Sequence, residues 1–284
     1  MNLHIPLYWQ TLQLRYAVEA GGWVGRHKGS AWRGMLGHVL RQYNLGLYYE
    51  LFENKVSPQH PLARRFRQGP VPYVLRVADQ EREFVKRGET LHIDLTLVGR
   101  ACAQFPLLVP LLGKLGADWG PDHARCTWTD MQVLPAQSWA SLVAPPLESL
   151  RFALVSPWVR GKPGPPDWPD LVAALAERCR LLSHFFCDEK LVEDAPVWRL
   201  LGQETCVRSL ALAPEALDRH SARQGRKMSL KGWTATWEAA DLPPALAPLL
   251  AAGEVLGVGK GAAWGMGRFQ VEGASMVSPF SAQS

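Results

Sequence analysis

Five glycines crowd the carboxyl-terminal part of the sequence: Gly257, Gly259, Gly261, Gly265 and Gly267, with Lys260 and Arg268 among them. Glycine accepts positive φ and lets a backbone approach something bulky. Amides freed of side chains can then point at phosphate oxygens. A wide hairpin that needs glycine only to turn would use the same residues. A dinucleotide fingerprint does not fit, because that motif follows a first strand, opens a helix and carries an acid about 20 positions later.

A second group is Arg219-His220-Ser221-Ala222-Arg223-Gln224-Gly225-Arg226-Lys227, continued by Lys231 with no acid between Arg219 and Lys231. Most basic runs are solvated loops. The exclusion of carboxylates and the position just before a strand favour phosphate binding here. A third group is Arg26-His27-Lys28 followed by Arg33, Gly34, Gly37, His38 and Arg41. On a helix, positions 33, 37 and 41, and 34, 38 and 41, form one polar stripe opposite an apolar one. Two glycines inside a helix cost about 1 kcal/mol each relative to alanine. They admit either a neighbouring backbone or a nucleic-acid strand. Arg26, His27 and Lys28 fall near the helix amino terminus, where anions are favoured.

Metal chemistry has no motif to stand on. The eight histidines are scattered, and the five cysteines (Cys102, Cys126, Cys179, Cys187, Cys206) include no Cys-x-x-Cys pair. Neither a zinc site nor a disulfide framework is expected, nor any other cofactor, and a reduced cytoplasm is the expected compartment. The 284 residues carry a formal charge of +5 and are 47% apolar, so a core can form and an acidic or disordered protein is excluded. No apolar run approaches ~18 residues, so no membrane-spanning helix is expected, and the first residues show no secretory signal.

The elements that must position these groups follow from hydrophobic period. Leu12, Leu14 and Tyr16 alternate with Gln13 and Arg15, which predicts a strand over 7–18. Trp32, Met35, Leu36, Val39, Leu40 and Tyr43 make a helical stripe over 30–43, with Ser30 as its cap. An irregular, arginine-bearing stretch follows. Then come strands at 71–77 and 90–98, a helix at 104–115 and a strand at 126–134. The charge-free stretch 135–147 reads as a linker. The same order repeats beyond it: strand 149–156, helix 170–186, strands 206–212 and 229–237, helix 242–250, and a split strand at 254–258 and 265–271. Two split βαβ units predict an α+β protein with tandem ferredoxin-like (RRM-like) βαββαβ domains and a carboxyl-terminal glycine-rich loop. The expected division is 1–135, a linker at 136–148, 149–273, and a tail at 274–284.

Several segments, in this order, resemble one family. They are Trp32-Arg33-Gly34-Met35-Leu36-Gly37-His38-Val39-Leu40-Arg41, Leu97-Val98-Gly99-Arg100-Ala101, the Arg219–Met228 run, and the terminal stretch from Gly257 to Phe269. The sequence is similar to the CRISPR repeat-processing endoribonucleases of the RAMP superfamily, which make guide RNAs from a long precursor. The resemblance spans nearly the whole chain. It implies two ferredoxin-like domains, binding of a repeat RNA hairpin, other CRISPR effector subunits as further partners, and metal-independent cutting that leaves a 2′,3′-cyclic phosphate.

That chemistry needs a proton-transfer group and cations for the phosphorane. His27 suits either proton role, with His38 in reserve, and Arg26, Arg33 and Arg41 are the expected phosphate stabilisers. Lys28, Arg219, His220, Arg223, Arg226, Lys227, Lys260, Arg268 and the five glycines are the expected RNA contacts. Two rivals remain: a subunit that holds the hairpin without cutting, and a nucleotide-dependent enzyme, which would need a Walker lysine-serine pair that the sequence lacks.

Overall fold

A computed structural model describes residues 3–26, 28–60, 62–78, 82–116, 119–142, 149–189, 195–221 and 226–272, and the side chains of 218–221 and 226–228 are left aside. The first unit runs β1 (Tyr8–Ala20), β2 (Gly22–Trp23), α1 (Gly29–Tyr43), α2 (Leu45–Phe52), β3 (Tyr73–Val77), β4 (Phe84–Val85) and β5 (Thr90–Val98). A 3-10 turn over Gly99–Gln104 then leads into α3 (Phe105–Leu112), β6 (Arg125–Val133) and a short β7 (Gln137–Ser138). The second unit runs β8 (Ser149–Leu154), α4 (Trp168–Phe186), α5 (Ala195–Glu204), β9 (Cys206–Ser221), β10 (Arg226–Ala240), α6 (Leu246–Leu256) and β11 (Phe269–Glu272).

The first sheet has the order β3-β5-β1-β6 and the second β11-β8-β10-β9. Every neighbouring pair is antiparallel. In both, the first strand of the unit lies between its third and fourth, which is the ferredoxin-like arrangement. The protein is therefore a tandem of ferredoxin-like units. Alternation explains which face is covered: Leu12, Leu14 and Tyr16 are buried against Trp32, Leu36 and Leu40 of α1 and Leu108 and Leu112 of α3. In the second unit Phe152, Trp237 and Phe269 meet Leu171, Leu175 and Leu249. Ile5, Leu7, Trp9, Val74 and Val98 of the first unit are buried in that second core as well.

Several local expectations are corrected. Ser30 does not cap α1; the helix starts at Gly29 and Lys28 precedes it without a side-chain cap. The irregular stretch contains α2, capped by Asn44, whose side chain accepts from the Leu47 amide at 3.0 Å. α5 is likewise additional. Residues 254–256 are the end of α6, not half of a split strand. Leu246, Leu249, Leu250, Gly253, Val255 and Leu256 are all buried, so this helix is apolar on most sides, and a short apolar run does not distinguish helix from strand. Part of the expected linker is ordered sheet: Gln137 and Ser138 pair with Trp9 and Tyr8. The expected tail, 274–284, lies outside the described residues.

Candidate nucleic-acid interface

All five terminal glycines have positive φ: 70° at Gly257, 77° at Gly259, 85° at Gly261, 93° at Gly265 and 59° at Gly267. At three of them, Gly259, Gly261 and Gly267, an added Cβ would come within 3.0 Å of a neighbour. A Cβ on Gly267 would lie 1.9 Å from the Val258 carbonyl oxygen, and one on Gly259 would lie 2.4 Å from the Trp158 ring. The loop is thus folded onto the Pro157–Val159 segment, where the Gly267 amide donates to the Pro157 carbonyl (3.0 Å) and the Lys260 amide to the Val159 carbonyl (3.0 Å). The requirement for glycine is first a requirement of packing. Among the described residues, the amides of Gly259, Gly261, Ala262 and Ala263 have no backbone acceptor, and Lys260 is exposed. Those amides and that ammonium are the parts able to meet a phosphate.

The loop touches both neighbouring elements. A Cβ on Gly29, the first residue of α1, would stand 2.2 Å from the Trp264 carbonyl oxygen. On its other side, Val159, Trp264 and Met266 form a buried cluster with Leu217 of β9 and Leu230 of β10. The β9–β10 hairpin overruns its sheet: β10 pairs with β8 only over Thr236–Ala240 and with β9 all the way to Arg226. The basic run occupies the far end of this arm, where Lys227 pairs with His220, Met228 with Arg219 and Arg226 with Ser221. Arg223 lies outside the described residues. The arm base and the amino terminus of α1 thus both pack against the glycine loop.

The proposed catalytic set divides. His27 lies outside the described residues, but its neighbours are placed: Arg26 pairs with Glu83 (3.2 Å). Lys28 is buried, at 1% exposure, and its ammonium donates to the Arg82 carbonyl. That corrects its reading as an RNA contact, because the buried ammonium is spent on holding the 82–89 segment. Arg33 lies over the Phe52 ring (5.0 Å) and Arg41 over the Tyr48 ring (4.6 Å), donating to its hydroxyl at 2.7 Å. Tyr48 in turn donates to Glu53 at 3.0 Å. Arg41 stands twelve residues into α1, about 18 Å from the amino terminus at 1.5 Å per residue. One phosphate cannot be held from both ends, so Arg26 and Arg41 do not share a reacting group.

The two helix glycines also divide. Gly37 is filled by Phe52, whose ring carbon would lie 3.0 Å from a Cβ, whereas Gly34 faces open space beside exposed His38.

Arg268 leads away from the loop into a charged cluster between the units. Arg76 of β3 faces Asp94 of β5 in register and donates to the Glu254 carbonyl on α6. Burial, reinforced by the positive charge of Arg268, brings Arg76 down to about 9. Burial also raises the Asp94 and Glu254 carboxyls, against the pull of Arg76 and Arg268. This cluster and the Arg41–Tyr48–Glu53 chain are absent from the sequence reading. The cross-strand pair was invisible without register, and the second needed α2 to be recognised from its Asn44 cap. Among the described residues no three His, Cys, Asp or Glu side chains gather as a metal site, and no helix is long and apolar enough to cross a membrane.

Family models account for both units. An N-terminal domain model matches residues 7–148, and the model of the CRISPR-associated endoribonuclease Cas6 matches residues 150–269. The second unit is thus similar to the Cas6 family. Solved Cas6 structures share the fold. A Cas6 product complex superposes with a TM-score of 0.60 at 19% identity, covering 93% of this chain and 99% of the other. Thermus thermophilus Cas6 gives 0.55 at 18%, covering 94% and 99%. A partial Cas6–RT–Cas1–Cas2 complex gives 0.65 at 12%, covering 97% of this chain and 48% of the longer one. No curated protein sequence matches. Cas6 endoribonucleases process CRISPR RNA, and this chain carries their fold over both units.

Proposed function

We propose that this protein binds the hairpin of a CRISPR repeat and cuts beside it without a metal, using the RNA's own 2′-hydroxyl. The observation that carries this reading is that the arm base and the amino terminus of α1 both pack against the glycine loop. The arm tip supplies cations for the duplex backbone. The amides of Gly259, Gly261, Ala262 and Ala263 with the Lys260 ammonium supply a cradle for a phosphate, and in sequence Arg26 and His27 precede the amino terminus of α1, whose Gly29 abuts the loop at Trp264.

In the reaction the 2′-oxygen attacks the adjacent phosphorus, its proton passes to a base, and the 5′-oxygen leaves with a proton from an acid. The products are a 2′,3′-cyclic phosphate and a 5′-hydroxyl. His27 is the proton-transfer group in this scheme and Arg26 the stabiliser of phosphorane charge. Arg33, about one turn into α1 and packed over Phe52, and His38 and Arg41, farther along it, serve RNA binding or packing. A second reading, a subunit that retains the hairpin without cutting, draws support from the match to a Cas6 unit within a Cas6–RT–Cas1–Cas2 complex. It leaves the same interface intact and removes only the chemistry.

Incubation of repeat RNA with the protein in EDTA decides between them. Cutting is expected to persist there and to stop when a 2′-deoxy nucleotide stands just upstream of the cut. His27→Ala is expected to slow cutting by ~10²–10⁴-fold with little change in affinity. Binding without cutting would establish the retention role instead.

A further inference from the structure

Beside the Arg26 loop a two-stranded ribbon presents two aromatic rings to solvent. Gly22 pairs with Val85 and Trp23 with Phe84. Alternation puts Val85 on the inner side, buried, and leaves Trp23 46% and Phe84 43% exposed on the outer side. Side chains directly opposite in an antiparallel pair have Cβ atoms about 5 Å apart, so the two rings form one surface.

The ribbon is held rigidly. The Trp23 amide donates to Asp122 (2.8 Å), and the Trp23 carbonyl abuts Gly120, where a Cβ would lie 2.4 Å from its oxygen. The Val24 amide donates to the Glu83 carbonyl (2.7 Å). No core is served by these rings. Exposed neighbours on the same segment are Arg82, paired with Glu89 (3.0 Å), and Lys86 and Arg87, while Arg26, three residues after Trp23, pairs with Glu83 (3.2 Å).

We propose that Trp23 and Phe84 form a stacking platform for an unpaired nucleobase next to the scissile phosphate. Rigid aromatic faces interleaved with cations are what single-stranded RNA needs: bases stack on the rings while the backbone follows the charges. The charge of Lys86 and Arg87, exposed beside the rings, therefore selects RNA over an apolar protein segment as the occupant. The platform rests on the processing reading for its place beside the cut, and it gives the site a hold on the single-stranded flank that the glycine loop and the arm do not supply.

The test uses a repeat hairpin with unpaired flanks carrying 2-aminopurine at successive positions. One position near the cut is expected to be quenched by the wild-type protein and not by Trp23→Leu. The dissociation constant of the flanked RNA should rise by ~5–150-fold in that variant. A hairpin without flanks should bind equally well, Trp23→Tyr should keep most of the affinity, and the melting temperature should not move, because the ring is exposed.

Unchanged quenching and affinity in the Trp23→Leu, Phe84→Leu double variant would overturn the platform and leave those rings to a protein partner. If the wild-type protein fails to bind the hairpin at all, the processing reading falls by itself. An unstructured octanucleotide with 2-aminopurine then tests the platform alone: quenching lost in the double variant supports it, and equal signals overturn it.

Discussion

In the first sheet the two strands after the first helix are short, five residues in β3 and nine in β5, and the segment between them carries β4, which leaves the sheet to pair with β2. In the second sheet the corresponding strands have 16 and 15 residues, and ten of them in β10, Arg226–Ala235, reach past the sheet. At 3.4 Å per residue that arm is about 34 Å long. Strand order is the same in both units, so the core fixes order and leaves hairpin length free. The cations follow this division. Those of the first unit are half spent on packing: Lys28 is buried, Arg33 covers Phe52 and Arg41 covers Tyr48. Those of the arm lie on the part of the β9–β10 pairing that runs past β8.

The comparison breaks most sharply at a loop glycine. Gly259→Val should cost about 3 kcal/mol or more, because it combines positive φ with a Cβ against Trp158. Thermal melting and RNA binding are expected to fall together. Binding lost at an unchanged melting temperature would show instead that RNA itself fills the place of the Cβ.

The arm should behave in the opposite way. Replacing Arg219, Arg223, Arg226 and Lys227 with Ala should weaken hairpin binding about 10- to 1,000-fold near physiological salt. The salt slope should flatten by about three to four, and the melting temperature should stay within a degree or two. Titration at several salt concentrations reads the slope, and an unchanged slope would reduce the run to a solubility feature.

The smallest effect belongs to the first helix. Gly34→Ala has open space and should stabilise by up to ~1 kcal/mol, whereas Gly37→Ala must displace the Phe52 ring and should gain nothing or lose stability. Denaturant unfolding of the pair separates access from packing. Weaker RNA binding by Gly34→Ala, with the fold stabilised, would bring the nucleic acid onto that face.

Legibility in the sequence followed what each signal measures. β5 was read over 90–98 and is Thr90–Val98, because one of its faces is buried and alternation reports burial. β9 was read only to 212 and extends to Ser221. Residues 208–214 of β9 are exposed and held by pairing to β10, so no alternation of burial marks the strand there. The sequence Leu45–Phe52 is too uniformly apolar for a stripe, so α2 was hidden although its Asn44 cap was in view. For the site, spacing along α1 put positions 33, 34, 37, 38 and 41 on one polar stripe; His38 is indeed exposed, but Gly37 is buried against Phe52. The spacing said nothing of the ~18 Å that separates Arg41 from the helix start. Nor did it say that the glycines answer to Trp158 and Val258, which are distant or unremarkable in sequence.

The sharing of one core by two units has a consequence for how the chain is made. Ile5, Leu7, Trp9, Val74 and Val98 leave the ribosome early, yet the surfaces that bury them belong to elements between Trp139 and Phe269. At ~5–20 residues per second, the ~120 residues of the second unit take roughly 6–24 s to appear. During that interval the first sheet carries an uncovered apolar patch that includes an indole. The newborn amino-terminal half is thus a client for a holding chaperone, and a pulse of synthesis halted near residue 148 should leave a chain that clumps unless the second half is supplied in trans.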